Sequence, residues 1–394
     1  MEWVNSDHEL PIKSWCREVE EGSLEQAINL ANHPAVSQWV SLMPDCHKGY
    51  GMPIGGVVMC PNHIIPNGVG VDIGCGVTFA MSNTENKLDK STIRKLLKEA
   101  KKAIPVGEGH AHKEIQIWHG FAKYAEHEEI LWFTEDIWEL AQRNLGTLGG
   151  GNHFIEIDVD KDNNICLLIH SGSRNLGYKI ATYHNSIAKD LNKKWLTSAA
   201  DDLAFFPIDS DEGQRYITDM SFAKDYAKEN RKIMMEVMKE ILSTVGVTFT
   251  YELDVPHNYV DLINCNGKNG WVHRKGAISA RKNEVGVIPG SMGTSSFIVK
   301  GLGNSDSFMS CSHGAGRNCS RTKAIQTLSV GNCNEAMGDI VFDRWNKIKK
   351  GKNKGLFDVA ESPLAYKNID EVIDQELDLI TPINTLSPIG VLKG

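Results

Sequence analysis

The chain carries the stretch HFIEIDVDKDNNICLLIH at residues 153–170. Two short, β-branched apolar runs, 153–159 and 165–170, flank the polar segment DKDNN, which predicts two antiparallel strands joined by a turn. His153 begins the first strand and His170 ends the second, so the hairpin brings both imidazoles to the same end of a sheet. The sheet that contains this hairpin therefore carries two candidate metal ligands.

The other regular elements are predicted from the spacing of apolar residues. Helical spacing occurs at 87–104, 128–145 and 219–245, and strand-like runs occur at 54–60, 247–253 and 389–393. Because strands and helices alternate without the steady rhythm of a doubly wound sheet, we predict an α+β fold. We expect one large mixed domain over residues 1–394, with 196–214 as a candidate connector between subdomains that share one site.

Composition limits the class of protein. Of the 394 residues, 41% are hydrophobic and 23% are charged, which is ordinary for a folded, water-soluble chain and argues against disorder. No apolar run approaches the roughly 20 residues of a membrane span, and the charged N-terminal stretch argues against a signal peptide. We therefore expect a cytoplasmic protein. The formal charge of -8 argues weakly against general coating of nucleic acid but permits a local basic groove.

Glycine-rich segments hold most of the polar residues that could do chemistry. These segments are MPDCHKGYGMPIGG (43–56), NGVGVDIGCGV (67–77), LGTLGGGNHFIEI (145–157), IHSGSRNLG (169–177), VIPGSMGTSSF (287–297) and SCSHGAGR (310–317). Since glycine costs folding entropy, its repetition beside reactive side chains indicates loops where the backbone approaches a ligand closely. Turns alone do not readily explain six such loops in one chain.

Five residues in these loops and nearby form a candidate metal site. Asp72 and Cys75 lie three positions apart, and His257 joins His153 and His170 as a third imidazole. A lone buried histidine is more often a hydrogen-bonded core residue, and a lone cysteine is usually a small hydrophobe. Taken jointly, the set favours a metal site, with two ions if the thiolate bridges. Ligand softness alone favours zinc.

The segment SCSHGAGR has two interpretations that spacing alone leaves about equal. His313 is followed by a bare Gly-Ala-Gly backbone that a phosphate chain could approach, and Arg317 and Arg321 can present guanidiniums on one helix face. A neutral imidazole there could attack phosphorus and form a phosphoramidate. In the other interpretation, His313 is only a donor at the start of a glycine-rich helix.

Cations in glycine- and serine-rich loops predict a locally basic groove. They are Arg174, Arg274, Lys275 and Lys323. Most lysines and arginines form a solvated face, and that remains the interpretation for the lysines of the outer helices. The loop cations fit an anionic polymer bound at one site.

The chain closely resembles the RtcB family of RNA-splicing ligases from about residue 43 to its last residue. The blocks that carry the resemblance are MPDCHKGYGMPIGG, GVGVDIGCG, GTLGGGNHFIEI, HSGSR, HNY, RKGA, PGSMGTSSFIVKGLGN, CSHGAGR and VLKG. The resemblance implies an RtcB-type domain that joins an RNA 3'-phosphate or 2',3'-cyclic phosphate to an RNA 5'-hydroxyl, using GTP and two manganese ions. Transfer-RNA splicing and RNA repair are both implied, and some family members need an activating protein partner. We expect a monomer.

The resemblance also implies residue roles. His313 would attack the α-phosphorus of GTP and hold GMP, and Asp45 would transfer a proton. Cys75 would bridge two manganese ions, with Asp72 and His257 on one ion and His153 and His170 on the other. The residues implied for GTP binding are Asn152, at the phosphate, and Glu156, Ser291, Ser296, Ala315, Gly316, Tyr366 and Lys393. Those implied for RNA phosphates are Arg174, Arg317, Arg321 and Lys275.

The chain departs from the family pattern in two places. The block usually read as MPDVH is MPDCH here, which adds the thiol of Cys46 beside Asp45. The stretch 104–145 matches poorly, so no role is carried onto His110, His112, His119 or His127. The resemblance also favours manganese over zinc, and we follow it because metal availability and mechanism govern open sites as much as softness does.

Two other functions compete with RNA ligation. A metal-dependent phosphoesterase acting on RNA or nucleotide ends would use the Asp/Cys/His cluster without His313. A GTP-bound RNA-binding module without ligation is disfavoured, because every residue that we interpret as reactive is present.

Overall fold

The computed structural model describes residues 1–126 and 133–394. Its strands are β1 (Trp3–Asn5), β2 (Ile12–Ser14), β3 (Ser37–His47), β4 (Ile54–Cys60), β5 (His63–Ile64), β6 (Gly76–Glu85), β7 (Phe154–Asp160), β8 (Asn164–Ser171), β9 (Phe206–Pro207), β10 (Phe249–Pro256), β11 (Asn258–Cys265), β12 (Lys268–Lys275), β13 (Ala277–Ser279), β14 (Val285–Ile288), β15 (Ser296–Gly301), β16 (Ser310–Ser312), β17 (Val341–Phe342) and β18 (Ile380–Lys393). Its helices are α1 (Glu21–Ala31), α2 (Lys90–Ala103), α3 (His119–Ala125), α4 (Glu135–Asn144), α5 (Arg174–Trp195), α6 (Asp211–Ser243), α7 (Arg321–Thr327), α8 (Val330–Met337) and α9 (Ile369–Gln375). None of these described helices combines the length and the apolar character needed to cross a membrane.

Two mainly antiparallel sheets form the frame. The larger sheet has the strand order β10-β6-β8-β7-β18-β15-β14, with β17 parallel to β18. The smaller sheet has the order β1-β2-β3-β4-β12-β11, in which β2 and β3 are parallel. Antiparallel sheets with helices packed outside them confirm the predicted α+β class.

The layers follow from side-chain alternation along the central strands. On β8, Cys166 and Leu168 pack into a hydrophobic core shared with Val57 of the smaller sheet. The alternate residues Leu167 and Ile169 face α2 and α6 instead. Because successive strand residues point to opposite faces, His170 lies on the side that faces the smaller sheet. The hairpin therefore places His170, a candidate metal ligand, between the two sheets.

The hairpin itself agrees with the sequence prediction, and other elements differ in extent. β7 and β8 pair antiparallel, with Phe154 opposite His170. The helix predicted at 219–245 corresponds to α6, which ends two residues earlier, at Ser243. It also begins earlier, at Asp211, because the Ser210 hydroxyl accepts the backbone N–H of Gly213 as an N-cap.

Some observed elements differ from the predicted ranges, and one helix was not predicted. The run 389–393 is only the end of the long strand β18, and α5 was not predicted. The predicted helix at 128–145 contains α4, while His127 and residues 128–132 lie outside the described residues.

The segment 196–214 is packed into the protein. Leu203 and Phe205 join one hydrophobic cluster, and Phe206 joins another that includes α5 and α6. All three side chains are buried. The segment predicted as a connector therefore links two parts of the hydrophobic core.

A buried arginine ties α6 to three other parts of the fold. The guanidinium of Arg231 donates to both carboxylate oxygens of Asp254 on β10, at 2.6 and 2.9 Å. Its remaining terminal nitrogen donates to the carbonyls of Gly74 and Ser171, at 2.8 and 2.9 Å. Burial acts to raise the pKa of Asp254, but the charge of Arg231 outweighs it and holds that pKa below its ordinary value.

Replacing Arg231 by leucine should destabilise the protein strongly. The change leaves the Asp254 carboxylate buried without its partner, which typically costs about 3 to 5 kcal/mol. Urea denaturation followed by circular dichroism measures the loss of unfolding free energy. The control is Lys232→Leu on the exposed side of the same helix turn. Equal midpoints for the two variants would contradict the anchoring role.

Candidate functional site

Four consecutive strands of the larger sheet bring the predicted ligands together. Cys75 precedes β6, His153 precedes β7, His170 lies near the end of β8, and His257 follows β10. Because the strands are neighbours in the order β10-β6-β8-β7, these residues meet at one edge of the sheet. Sequence separations of up to 182 residues, from Cys75 to His257, thereby become a single cluster.

The thiol of Cys75 lies at the centre of this cluster. Its Sγ is 3.3 Å from His170 Nε2 and 3.5 Å from His153 Nε2. On one side, His153 Nε2 is 3.2 Å from a carboxylate oxygen of Asp72, and on the other, His170 Nε2 is 3.4 Å from His257 Nε2. The contacts thus pair Asp72 with His153 and His170 with His257, a different division from the one that the resemblance implies.

Second contacts orient the imidazoles toward the cluster. His153 Nδ1 donates to the carbonyl of Leu148 at 2.9 Å, and His170 Nδ1 donates to the carbonyl of Asn152 at 3.2 Å. Each bond fixes the tautomer that leaves the Nε2 lone pair facing the cluster. Burial lowers the pKa of His170 and of His257 well below the ordinary value, which keeps both imidazoles neutral, as metal ligation requires.

The donor set fits a divalent metal. Sγ of Cys75 and ring nitrogens of His153 and His170 all lie within 4.8 Å of one another. Burial raises the pKa of the Cys75 thiol well above its ordinary value, so a bound cation is needed to hold the thiolate. Asp72 adds an oxygen donor, and its other carboxylate oxygen accepts the backbone N–H of Ser173 at 3.0 Å. The site therefore has thiolate, imidazole and carboxylate donors with organised outer contacts.

Cys75→Ala should reduce metal binding without unfolding the protein. Loss of the central donor should lower the metal bound per chain by at least about tenfold at fixed free Mn2+, since even outer-contact mutations cost 10- to 100-fold in affinity. Equilibrium dialysis with elemental analysis measures the bound metal. Cys333→Ala, at another buried cysteine, is the control. Unchanged binding in Cys75→Ala would exclude this cluster as the metal site.

A histidine–aspartate pair lies beside the cluster. His313 Nδ1 donates to Asp45 Oδ2 at 2.6 Å, and the backbone N–H of His313 donates to the same oxygen at 3.1 Å. Asp45 is fully buried, and although burial acts to raise its pKa, the charge and hydrogen bond of His313 hold that pKa below its ordinary value. The ring centroids of His313 and His257 are 4.7 Å apart. The pair leaves Nε2 of His313 as its free ring nitrogen.

Gly276 in the RKGA block makes room for this pair. Its φ is +63°, and a Cβ there would lie 3.0 Å from Cε1 of His313 and 2.3 Å from the Ile54 side chain. Both the backbone conformation and the space therefore require glycine. The RKGA block therefore supplies a close backbone approach at Gly276 in addition to the cations Arg274 and Lys275.

The carboxylate of Glu361 pairs with three cations that were predicted as site residues. Glu361 itself was not predicted. The carboxylate lies 3.2 Å from Arg317, 2.8 Å from Arg321 and 3.7 Å from Lys393. The hydroxyl of Tyr366 also donates to it. Burial acts to raise the pKa of Glu361, but the three cations lower it to about 2. No glycine-rich motif surrounds Glu361, so the sequence offered no signal for it.

Glu361→Gln should lower stability in a pH-dependent way. The folded-state pKa of about 2 lies below the ordinary 4.5, so the stabilisation is complete above pH 4.5 and declines as the pH falls toward 2. The difference in unfolding free energy between the two proteins should therefore be largest near neutral pH and shrink below about pH 4.5. Urea titrations at pH 7, 5 and 4 test this. A difference that grows on acidification would contradict it.

Lys393 and Glu156, both implied for nucleotide binding, lie on the paired strands β18 and β7. Lys393 donates to the carbonyl of Asn152 at 3.2 Å, and its ammonium lies 5.1 Å from the Phe154 ring centroid. Glu156 is buried on β7, and burial raises its pKa to about 7. A cavity of about 250 Å³ is lined by Lys393, Arg321 and Glu361. Also buried are Ser291, Ser296, Ala315 and Gly316.

Ser291 and Ser296 stabilise their own loop. Ser296 Oγ accepts the backbone N–H of Gly290 at 3.1 Å, and Ser291 Oγ lies 3.0 Å from Oγ1 of Thr294. These contacts hold the PGSMGTSS segment in a compact turn.

A Cβ at Gly316 would lie 2.3 Å from the carbonyl oxygen of Asp45, so the CSHGAGR loop packs directly on β3.

The residues implied for RNA phosphates have different surroundings. Arg174 begins α5 and donates to Thr147 Oγ1 at 3.2 Å. Lys275 is buried, donates to the carbonyls of Tyr50 and Asn67, and burial lowers its pKa to about 7. Lys275 therefore contacts backbone carbonyls, whereas Arg321 has about half of its side chain exposed.

Cys46 lies in a hydrophobic cluster of β3, β4 and α1. Leu42 and Val58 belong to the same cluster, and Cys46 is 1% exposed. Burial raises the pKa of its thiol well above the ordinary value. The extra thiol is thus accommodated as a small buried side chain.

The fold and the site together define an α+β protein with a candidate metal centre of thiolate, imidazole and carboxylate donors, adjoined by a histidine–aspartate pair. Comparison with known proteins identifies the family.

The family model described as tRNA-splicing ligase RtcB matches residues 26–394. The RNA-splicing ligase RtcB of Escherichia coli strain K12 is 36% identical over 407 residues, which cover 98% of this chain and 97% of that protein. The tRNA-splicing ligase RtcB of Archaeoglobus fulgidus is 32% identical, covering 95% of this chain and 92% of that protein. The chain therefore belongs to the RtcB family.

Proposed function

We propose that this protein joins an RNA end bearing a 3'-phosphate or 2',3'-cyclic phosphate to an RNA 5'-hydroxyl end, using GTP and manganese, in transfer-RNA splicing or RNA repair. RNA ligation itself follows from membership of the RtcB family. The observation that carries the finer proposal is the position of His313, hydrogen-bonded to Asp45 and packed against the ligand His257. A nucleophile held beside a metal cluster suits nucleotidyl transfer.

In the first step, His313 Nε2 attacks the α-phosphorus of GTP. Because Nδ1–H donates to Asp45, the Nε2 lone pair is available to form the N–P bond while the bond to pyrophosphate breaks. The buried Asp45 carboxylate stabilises the positive charge that develops on the imidazole. This step produces a histidine-linked GMP.

In the later steps, GMP passes from His313 to the RNA 3'-phosphate, and a diphosphate-linked RNA end results. A 2',3'-cyclic end would first be opened by water to a 3'-phosphate. The 5'-hydroxyl then loses its proton to solvent and attacks the RNA phosphorus of the diphosphate linkage. The new phosphodiester forms as the bond to GMP breaks. When the N–P bond breaks, His313 returns to a neutral imidazole whose Nδ1–H still donates to Asp45. Arg317 and Arg321 can release the Glu361 carboxylate and bind phosphate oxygens instead. Their guanidiniums then offset the negative charge of the phosphates.

Two manganese ions would be held by the five-residue cluster. Following the contacts, we propose Asp72 and His153 on one side and His170 and His257 on the other, with Cys75 shared. When bound, the metal supplies charge neutralisation for the transferring phosphates. The carboxylate oxygen of Asp72 favours manganese more than an all-nitrogen-and-sulfur site would.

The remaining assignments belong to the same proposal. Nucleotide-contacting residues would be Asn152, Glu156, Ser291, Ser296, Ala315, Gly316, Tyr366 and Lys393. RNA-phosphate residues would be Arg174, Arg317, Arg321 and Lys275. The proposal places the enzyme in the cytoplasm as a monomer of one domain. An activating protein partner, which some family members need, is not required by any step of the proposal.

The first test is covalent labelling with α-labelled GTP and Mn2+. The unaltered protein should acquire an acid-labile, alkali-stable adduct, as expected of a phosphoramidate, and His313→Ala should acquire none. Asp45→Asn should slow labelling by about 10² to 10⁴, because the amide neither fixes the tautomer nor balances the imidazolium. His8→Ala, far along the chain from both motifs, is the control. Normal labelling of His313→Ala would remove His313 as the nucleophile.

The phosphoesterase alternative makes a separable prediction. It requires that RNA cyclic phosphates are opened by the unaltered protein and by His313→Ala alike, with no ligated product from either. Gel analysis of end-labelled RNA with a 2',3'-cyclic phosphate and a 5'-hydroxyl partner distinguishes the two. Ligated product that depends on GTP and His313 would exclude the alternative.

A further inference from the structure

A lysine-rich segment next to the site has no role in the chemistry above. Residues 344–358 read RWNKIKKGKNKGLFD, and we call them the lysine arm. The first 11 of these residues contain one arginine and five lysines and no acidic residue, although the whole chain has a formal charge of -8. A local positive charge of this density in an acidic protein indicates an anionic partner.

The backbone of the lysine arm is ordered as a short hairpin-like turn. The N–H of Asp358 donates to the carbonyl of Asn346 at 2.8 Å, and the N–H of Ile348 donates to that of Leu356 at 2.9 Å. Lys347 and Phe357 form an isolated antiparallel bridge, and the Lys347 ammonium lies 5.4 Å from the Phe357 ring. The turn holds its tip in a defined position.

The tip carries charges that are available to a ligand. Lys349, Lys350, Lys352 and Lys354 are exposed. None of the four forms an ion pair with any residue in the described part of the chain. They are therefore accessible to an anionic partner, unlike Arg317, which already pairs with Glu361.

The base of the arm joins the proposed ligation site to a second groove. Arg344 and Trp345 line the cavity of about 250 Å³ that also contains Arg321 and Lys393. The same two residues line an adjoining groove of about 760 Å³. The arm thus forms the wall between the site and a larger open groove.

Helix α2 supplies the opposite wall of this groove. Arg94, Lys98 and Lys101 line it, and their spacing of four and three residues places them on one face of the helix. Lys101 pairs with Asp343 at 2.5 Å, whereas Arg94 and Lys98 form no ion pair among the described residues. The groove therefore has cations on both walls.

We propose that the lysine arm and this face of α2 bind the backbone of a single-stranded stretch of the substrate RNA, a few nucleotides from the end that is joined. The inference rests on the proposed function and extends it from the RNA end to the RNA body. Unpaired lysines suit phosphates, and the partly exposed rings of Trp345 and Phe357 offer faces for base stacking. Continuity with the site favours RNA over an acidic protein.

The test compares two variants with the same change in charge. The first is Lys349→Gln, Lys350→Gln, Lys352→Gln and Lys354→Gln, which leaves both cavity walls intact. The matched control is Lys193→Gln, Lys194→Gln, Lys228→Gln and Lys268→Gln, at exposed lysines of α5, α6 and β12. For each, the Kd is measured without GTP for a 20-nucleotide RNA and for a dinucleotide, both with 3'-phosphates.

The arm variant should bind the 20-nucleotide RNA about tenfold or more weakly, and its log Kd should depend less on log salt, by about 2 to 3 in slope. Dinucleotide binding and covalent labelling from GTP should match those of the unaltered protein. Because the Kd is measured without GTP, failure of labelling in the unaltered protein would count against the proposed function and leave the binding result readable.

Three results would overturn the inference. The first is an arm variant that binds the long RNA as the control variant does. The second is an equal loss for the dinucleotide, which would place the four lysines at the ligation site itself. The third is normal RNA binding with loss of stimulation by an added acidic protein, which would make the arm a protein-docking surface.

Discussion

The buried guanidinium of Arg231 holds together the parts of the fold that the site needs. It bonds to Asp254 on β10, to the carbonyl of Gly74 just before Cys75, and to the carbonyl of Ser171 just after His170. These are the ends of three neighbouring strands that supply candidate metal ligands. A charge this deep is tolerated because a carboxylate and two carbonyls accept hydrogen bonds from four of its five N–H groups. The positions of the cluster residues therefore depend on Arg231, which takes no part in the proposed chemistry.

The surroundings of His313 likewise combine residues from separate parts of the fold. Asp45 lies on β3 of the smaller sheet, His257 connects β10 of the larger sheet to β11 of the smaller sheet, and Gly276 lies between β12 and β13. The site lies where the two sheets meet, so it assembles only when they pack together. Burial then strengthens each electrostatic contact, since the low-dielectric surroundings exclude the water that would screen it.

Glu361 and the lysine arm represent two ways of managing positive charge. Glu361, itself buried, holds Arg317, Arg321 and Lys393 in place by pairing with them. The arm leaves its lysines exposed, where they cost little to keep charged. The cations beside Glu361 are thus positioned by a carboxylate, whereas the four lysines at the tip of the arm form no ion pair with any described residue.

The sequence by itself determined the hairpin of β7 and β8, the helix α2 and the identity of the cluster residues, because local periodicity and motif chemistry are written in neighbouring residues. It failed for α5, whose Asn175, Gly177 and Thr182 are weak helix formers and whose helical conformation is stabilised by packing on α6. Only the tertiary structure decided which candidate ligands contact one another around Cys75 and which carboxylate pairs with Arg317, Arg321 and Lys393. Those contacts join segments far apart in the chain, and their distances depend on strand order and register, which no local pattern encodes.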